Sequence, residues 1–204
     1  MSNTASHCYG KVTGVILAGG LGRRMGGVNK GLQMLRGRPM VQWVADRYTP
    51  QVDELLVNAN QDAAAYEAMG FRVVSDIVGG YAGPLAGLHR GLSTASHPLV
   101  ATVPCDSPFL PTDLVSRLYA AMQTDGTDFA VACTEGQPQP VFALCRRTLL
   151  GDLTAYLDAG GRKIDAWYGR FPVSEVLFDD AAAFRNINTA EELAEAASGL
   201  QGCS

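Results

Sequence analysis

The sequence predicts an α/β protein, a three-layer α/β/α sandwich built around a Rossmann-like, mostly parallel sheet. Short apolar runs rich in β-branched residues alternate with amphipathic segments along the 204 residues, which is the pattern of repeated strand and helix units. Neither an internal repeat nor a linker interrupts the alternation. We therefore expect one domain over residues 11–198, between flexible segments at 1–10 and 199–204.

Seven apolar runs are strand candidates, and one of the last two is expected to be antiparallel. They are Val12–Leu17, Glu54–Asn58, Phe71–Ser75, Leu99–Val103, Phe129–Cys133, Val141–Leu144 and Val173–Phe178. Helices are expected between and after them, at Pro39–Tyr48, Asp62–Met69, Pro84–Thr94, Thr112–Gln123, Thr148–Leu157 and Ala190–Ala197.

Local signals mark several helix ends. Pro39 and Pro84 stand where the first helical residue is expected, a position that does not need a backbone N–H. Gly70 follows the second helix as its C-terminal cap. Thr189 and Glu192 have the spacing of a capping box at the start of the last helix.

Composition excludes several classes of function. A net charge of -4 disfavours general nucleic-acid binding, because that mode needs basic surface to replace phosphate counterions. No run approaches the roughly 20 apolar residues that cross a bilayer. The five cysteines are scattered without a CxxC pair, so neither a disulfide framework nor a zinc site is indicated. We expect a cytoplasmic protein that binds neither membrane nor nucleic acid.

A glycine-rich loop follows the first predicted strand and carries three cations, Arg23, Arg24 and Lys30. Glycines let backbone N–H groups approach an anion closely, so the loop is suited to phosphates. Six of the sixteen basic residues lie in the first 45 positions, which contain none of the twenty acids. This local positive charge in an acidic chain favours a small polyphosphate ligand, although a structural turn with solvated arginines is an alternative.

The loop matches neither common phosphate-binding motif. Met25 stands where a dinucleotide fingerprint needs its third glycine, and Lys30 precedes Gly31 instead of following a glycine as in a Walker loop. In open parallel sheets ligands bind at the carboxyl ends of strands. Besides this loop, that rule selects Asn58, Asp76 and Asp106.

Six motifs in register resemble the molybdenum cofactor guanylyltransferases, the MobA family. They are the LAGG loop with its RMGG and lysine-glycine pair, Asn58-Ala-Asn60, Asp76, Gly83-Pro-Leu-Ala-Gly87, Pro104-Cys-Asp-Ser-Pro108 and Asn186-Ile-Asn-Thr-Ala-Glu-Glu192. The likeness runs from about Gly14 to Leu193. It implies the fold of nucleotide-diphospho-sugar transferases and transfer of GMP from GTP to molybdenum-bound molybdopterin, with Mg²⁺ and release of pyrophosphate. One departure is Asn29, where relatives usually carry aspartate.

The resemblance also implies roles for individual residues. Lys30 and Arg24 would contact the β- and γ-phosphates, and Asp106 would hold Mg²⁺, as oxygen ligands suit that ion. Asp76 would pair with the adjacent N1–H and N2–H₂ donors of guanine. The remaining nucleotide-binding positions are Leu17, Ala18, Gly19, Gly20, Asn58, Gly83 and Gly87. Turn capping by Asp106 or Asn58, and helix packing by the last two glycines, are the structural alternatives.

On the acceptor side, Arg162, Lys163, Asn186 and Asn188 match family positions associated with molybdopterin. A solvated cation pair and a helix entry are the alternatives for these residues. Gln139-Pro140 is expected to shape the same cleft. The resemblance further implies contacts with molybdoenzyme-specific chaperones and other proteins of cofactor biosynthesis.

Two other functions compete with guanylyl transfer. One is CTP-dependent transfer to molybdopterin, or transfer to a sugar or polyol phosphate, within the same superfamily. Relatives that use CTP tend to read LAAG where this chain reads Leu17-Ala-Gly-Gly20, which favours GTP. The other is a non-catalytic carrier that delivers finished cofactor, and the cationic loop together with Asp106 argues against it.

Overall fold

A computed structural model describes residues 10–19, 29–77 and 83–199. The predicted flexible segments lie almost entirely outside these residues, as do Gly20, Arg23 and Arg24 of the glycine-rich loop. Within the described part of the chain, no helix is long and apolar enough to cross a membrane.

Nine strands are described. They are β1 (Val12–Leu17), β2 (Met34–Leu35), β3 (Arg38–Pro39), β4 (Glu54–Asn58), β5 (Arg72–Val74), β6 (Leu99–Pro104), β7 (Phe129–Thr134), β8 (Gln137–Arg146) and β9 (Ser174–Leu177). Seven form one sheet in the order β5-β4-β1-β6-β8-β7-β9, and β2 pairs with β3 as a small hairpin. Only β8 runs against its neighbours in the large sheet, so the prediction of one late antiparallel strand is confirmed.

The described residues also form seven α-helices. They are α1 (Met40–Tyr48), α2 (Ala63–Ala68), α3 (Pro84–Thr94), α4 (Leu114–Asp125), α5 (Leu150–Asp158), α6 (Ile164–Tyr168) and α7 (Ala190–Gly199). All six predicted helices are present, whereas α6 was not expected. Its two aromatic residues, Trp167 and Tyr168, are buried beside Phe129, and five residues are too few for a helical period to show in the sequence.

Alternating strand side chains enter two separate cores, which makes the three layers. Val12 and Ile16 of β1 pack with α1 and α4 on one face. Val15 of the same strand packs with α3, α5 and α6 on the other face. Both faces of the parallel strands are therefore buried, as expected of a sheet between two helical layers. The predicted α/β/α sandwich is confirmed.

Two helix-end predictions have different outcomes. Pro84 is the first residue of α3, as expected, and the preceding Gly83 has a φ of 57°. Pro39 was predicted to be the first residue of α1 and is not: it belongs to β3 and precedes the helix, which begins at Met40. Pro39 instead pairs with Met34 in the short hairpin, so the hairpin ends immediately before the helix.

Candidate active site

The carboxyl ends of β1, β4 and β6 meet at one edge of the sheet, where strand order reverses around β1. Backbone hydrogen bonds continue between the residues that follow these strands. Ala18 N–H donates to Asn58 O at 2.8 Å, and Cys105 N–H donates to Leu17 O at 3.2 Å. Residues that follow these strands are consequently neighbours. This edge is the place that the topology assigns to a ligand site.

Lys30 and Asp106 form an ion pair at this edge. Lys30 begins a 3₁₀ turn over Lys30–Leu32, and its Nζ lies 2.9 Å from Asp106 Oδ2. The two side chains are 27% and 8% exposed, so the Asp106 side chain is nearly buried while that of Lys30 is partly exposed. The predicted meeting of a cation from the first loop with the carboxylate after β6 is thus present for Lys30; Arg24 lies outside the described residues.

The surroundings of this pair explain why Gly31 follows the lysine. A side chain at Gly31 would place its Cβ 2.5 Å from the Tyr66 hydroxyl and 3.3 Å from Cys105 Sγ. Burial, together with the neighbouring charge of Asp106, raises the pKa of the Cys105 thiol to about 12. Cys105 is therefore a neutral packing residue beside the ion pair and not a nucleophile.

The segment before α7 completes the cluster. Lys30 Nζ also donates to Asn188 Oδ1. Asp106 O accepts from Ile187 N–H at 2.8 Å, and Ser107 Oγ donates to Asn186 Oδ1 at 2.7 Å. Of the two predicted acceptor-site asparagines, Asn188 therefore contacts Lys30 and Asn186 contacts Ser107, the residue after Asp106.

Glu192 fixes this segment. Its Oε2 accepts from Asn188 N–H at 2.6 Å and from Thr189 N–H at 3.1 Å, and Glu192 N–H donates to Thr189 Oγ1 at 3.1 Å. The predicted capping box is confirmed. The extra bond to Asn188 links the helix cap to the ion pair, a connection that the motif alone did not predict.

A second cluster lies after β4 and β5, around Asp76. Asn58 Nδ2 donates to Asp76 Oδ1 at 2.8 Å, and Asn60 Nδ2 donates to Asp76 Oδ2 at 2.7 Å. Asp76 N–H in turn donates to Asn60 Oδ1 at 2.9 Å. Asn60 belongs to the Asn58-Ala-Asn60 motif, and its role was not predicted from the sequence.

Two of the predicted nucleotide-binding glycines, Gly19 and Gly87, adjoin these asparagines. A Cβ on Gly87 would lie 2.5 Å from Asn58 Oδ1 and 2.6 Å from Leu17 Cδ2. A Cβ on Gly19 would lie 3.0 Å from Asn60 Nδ2. Both glycines thus make room for the asparagines. Gly83 has nothing within 4 Å of such a Cβ, and its positive φ is a backbone requirement of the turn into α3.

Asn29, the departure from the family pattern, is an anchor. Its Oδ1 accepts from the Tyr66 hydroxyl at 2.7 Å, and its Nδ2 donates to Asp62 Oδ2 at 3.2 Å. Burial raises the pKa of the Tyr66 phenol, which keeps it a donor at neutral pH. These bonds connect the residue before Lys30 with α2.

Arg162 and Lys163 lie between α5 and α6, and their hydrogen bonds go to residues that are close to them in the chain. Arg162 Nη1 donates to Leu157 O at 2.9 Å and to Gly161 O at 2.6 Å. Lys163 O accepts from the Tyr156 hydroxyl at 3.1 Å. None of these bonds reaches Lys30 or Asp106, so acceptor binding by this pair stays a prediction.

A groove of about 450 Å³ opens beside Asn186. Its lining includes Thr134, Glu135, Gln139, Phe184, Arg185 and Asn186. Gln139, which was expected to shape the acceptor cleft, donates through Nε2 to Thr134 Oγ1 at 2.9 Å. Glu135 was missed, although the Glu135-Gly136 pair between two strands is a signal for a tight hairpin, and both residues have positive φ.

Across residues 10–19, 29–77 and 83–199, no three His, Cys, Asp or Glu side chains are grouped so as to hold a metal ion. The three cysteines in these ranges, Cys105, Cys133 and Cys145, are free and buried.

Comparisons with known proteins identify relatives over most of the chain. A family model described as the MobA-like NTP transferase domain matches residues 14–171. The molybdenum cofactor guanylyltransferase of Cupriavidus necator is 53% identical over 187 residues, which are 89% of this chain and 94% of the relative. The enzyme of the same name from Ralstonia nicotianae is 52% identical over 195 residues, which are 91% and 96%.

A solved structure has the same fold. Molybdopterin-guanine dinucleotide biosynthesis protein A from Archaeoglobus fulgidus superposes with a TM-score of 0.73 at 24% identity. The match covers 92% of this chain and 98% of the other.

Proposed function

The chain belongs to the MobA-like NTP transferase family, and on this premise we propose that it transfers GMP from GTP to molybdopterin that carries molybdenum. The names of relatives at about half identity support this assignment. The observation that carries it is the pairing of Lys30 with Asp106 at the strand edge, with Asp76 and its asparagines across β1. One cluster is suited to a triphosphate and the other to a base.

The reaction needs positioned charge more than a base. The acceptor is a phosphate monoester with a second pKa of about 6, so it is largely dianionic at neutral pH. One of its oxygens forms a bond to the α-phosphorus of GTP. The bond from that phosphorus to the bridging oxygen breaks, and pyrophosphate leaves with the electron pair. Catalysis then consists of aligning two anions and stabilising the charge of the leaving group.

Lys30 supplies part of that stabilisation in the proposal. Its side chain is 27% exposed, so it can turn from Asp106 to the β- and γ-phosphates when the triphosphate binds. Arg24 would assist it from the glycine-rich loop, and the backbone of Leu17, Ala18 and Gly19 would line the nucleotide. Asn188, which accepts from Lys30, would then face the acceptor phosphate.

Asp106 suits a divalent cation. Its carboxylate is nearly buried at a strand end, 8% exposed, and one carboxylate plus substrate phosphates is a common way to hold Mg²⁺. Asp106 would hold the ion, which supplies Lewis-acid stabilisation of the phosphate oxygens when bound.

Acceptor binding completes the proposal. Asn186 lines the groove of about 450 Å³ and accepts from Ser107, the residue after Asp106. We assign molybdopterin to this side, with Arg162 and Lys163 contributing. The three free, buried cysteines accord with action in a reducing cytoplasm. Contacts with molybdoenzyme chaperones belong to the same proposal.

The test is a nucleotide panel with molybdenum-loaded molybdopterin and Mg²⁺, measuring pyrophosphate release and product. GTP is expected to be the preferred donor, and preference for CTP would remove the guanine assignment. Asp106→Asn and Lys30→Ala should each lose about 100-fold or more in turnover while the fold persists. Asp128→Asn, a change in an exposed ion pair with Arg146, is the matched control. Near-normal turnover in both site variants would remove the roles assigned to Lys30 and Asp106. Absence of turnover by the wild-type chain with every nucleotide would instead favour a non-catalytic carrier.

A further inference from the structure

Asp76 is clamped on both carboxylate oxygens by neighbouring asparagine amides. Asn58 holds Oδ1 at 2.8 Å and Asn60 holds Oδ2 at 2.7 Å. A carboxylate has about four acceptor sites, so each oxygen retains the capacity to accept one more hydrogen. Two adjacent N–H donors of a bound base would meet a carboxylate whose plane is already fixed.

The bond pattern of Asn60 is reciprocal, unlike that of Asn58. Asn60 donates to the Asp76 side chain and accepts from Asp76 N–H at 2.9 Å. Both ends of one amide therefore hold the main chain and the side chain of the same aspartate. This ring of two bonds restricts the Asp76 side-chain torsions more strongly than one bond would.

The fold does not need this side chain to hold the two strand ends together. Ala59 N–H donates to Val74 O at 3.0 Å, and Ser75 Oγ donates to Ala59 O at 2.9 Å. Asn60 itself is exposed. Its described side-chain bonds all go to Asp76, which assigns them to orienting that carboxylate.

We propose that Asn60 is a positioning residue that orients the Asp76 carboxylate toward the base and thereby sets the preference for guanine over purines lacking one of its two donors. The inference rests on the proposed function together with the predicted pairing of Asp76 with the N1–H and N2–H₂ donors of guanine. Gly19 is part of the arrangement, because a Cβ there would come within 3.0 Å of Asn60 Nδ2. The glycine leaves the amide room to hold its position.

The test compares GTP with ITP, whose base lacks the 2-amino group and so offers one fewer donor. The variant Asn60→Ala removes both reciprocal bonds. We expect the ratio of kcat/KM for GTP to that for ITP to fall by about tenfold, through a higher KM for GTP. The kcat at saturating GTP should stay within about twofold, since Lys30 and Asp106 are untouched.

Three further variants sharpen the result. Asn60→Asp keeps an acceptor for Asp76 N–H but places a second carboxylate beside that of Asp76. The GTP-to-ITP ratio of kcat/KM should therefore fall below the wild-type value in this variant too. In an Asp76→Asn background, Asn60→Ala should have no further effect on the ratio. Gln61→Ala, an exposed change on the same turn, should leave the ratio unchanged. Far-UV circular dichroism checks that each variant is folded.

Failure of the Asn60 inference and failure of the proposed function give different results. If the wild-type chain prefers GTP to ITP and Asn60→Ala lowers both values of kcat/KM equally, Asn60 is a structural residue only and the inference is wrong. If the wild-type chain prefers CTP or transfers no nucleotide, the proposed function itself is wrong.

Discussion

Lys30 Nζ and Asp106 Oδ2 lie 2.9 Å apart although the residues are 76 positions apart in the chain. The lysine thus occupies one oxygen of the carboxylate that we assign to the metal. A cation of the protein and a cation from solution compete for the same negative charge. This competition gives opposite expectations for metal affinity and for turnover.

Lys30→Met should therefore raise the affinity of the nucleotide-free protein for Mn²⁺ by about tenfold while lowering turnover by about 100-fold or more. Removing the ammonium group leaves the Asp106 charge uncompensated, which favours a divalent ion. Electron paramagnetic resonance of free Mn²⁺ measures the affinity without a substrate. Lys11→Met, at an exposed lysine, controls for the loss of one positive charge. Equal Mn²⁺ affinity in wild type and Lys30→Met would contradict the competition.

Gly87→Ala should both destabilise the fold and weaken nucleotide binding. The new Cβ would lie 2.5 Å from Asn58 Oδ1 and 2.6 Å from Leu17 Cδ2, so the buried Asn58 must move. We expect a loss of about 1–3 kcal/mol in the free energy of unfolding and a higher KM for GTP. Urea unfolding and initial rates measure the two effects.

Gly151→Ala is the matched control. Gly151 lies in α5 with nothing within 4 Å of a Cβ, so alanine should stabilise the helix by about 0.5–1 kcal/mol. Destabilisation of the same size in both variants would show that the contact with Asn58 is not the cause.

Glu192→Gln should remove a pH-dependent part of the stability. The hydrogen bond from Asn188 N–H, with a second from Thr189 N–H and the charges of Arg185 and Lys30, lowers the pKa of Glu192 below its ordinary value of 4.5, against the opposing effect of burial. A lowered pKa in the folded state means that the contribution is present above pH 4.5 and is lost as the pH falls through the folded-state pKa.

The difference in unfolding free energy between wild type and Glu192→Gln should accordingly be largest near neutral pH and shrink in acid. Urea unfolding along a pH series measures it. Glu195→Gln, which removes the other carboxylate paired with Arg185, is the comparison. A difference that grows in acid would have the wrong sign and would refute the assignment.

Asn29→Asp should weaken the anchor before Lys30. The change replaces the donor to Asp62 Oδ2, now at 3.2 Å, with a second carboxylate. Like charges at an exposed site should cost about 0.5 kcal/mol, and less in high salt. Adding Asp62→Asn restores an amide opposite a carboxylate and should recover the stability. The double-mutant cycle in urea unfolding checks this, and additive losses would contradict it.

The sequence was sufficient for the layers of the fold and for the edge that carries the site. Alternating apolar runs are local signals, and the rule for parallel sheets then brings Asn58, Asp76 and Asp106 to one side. The placement of Lys30 beside Asp106 follows from the same reasoning. The roles of Arg162 and Lys163 come from family resemblance and stay predictions.

Other features depend on side chains from distant parts of the chain and had no local signal. The reciprocal amide of Asn60 needs the exact approach of two strand ends, which no periodic pattern encodes. Gly87 looked equally suited to ligand approach or helix packing, and only the position of Asn58 shows what fills its space. The contact of Lys30 with Asn188 spans 158 positions and depends on the path of the chain after β9.

The contact between Lys30 and Asn188 also constrains when the site can form during translation of the chain. Asn188 and its carboxylate anchor Glu192 are translated long after the glycine-rich loop and the strand that precedes Asp106. A ribosome-bound chain that has not yet released this segment has the lysine and the aspartate but not the amide that binds the lysine. The contact between Lys30 and Asn188 therefore forms only after the segment through Glu192 has left the ribosome, and a product truncated before Asn188 lacks it.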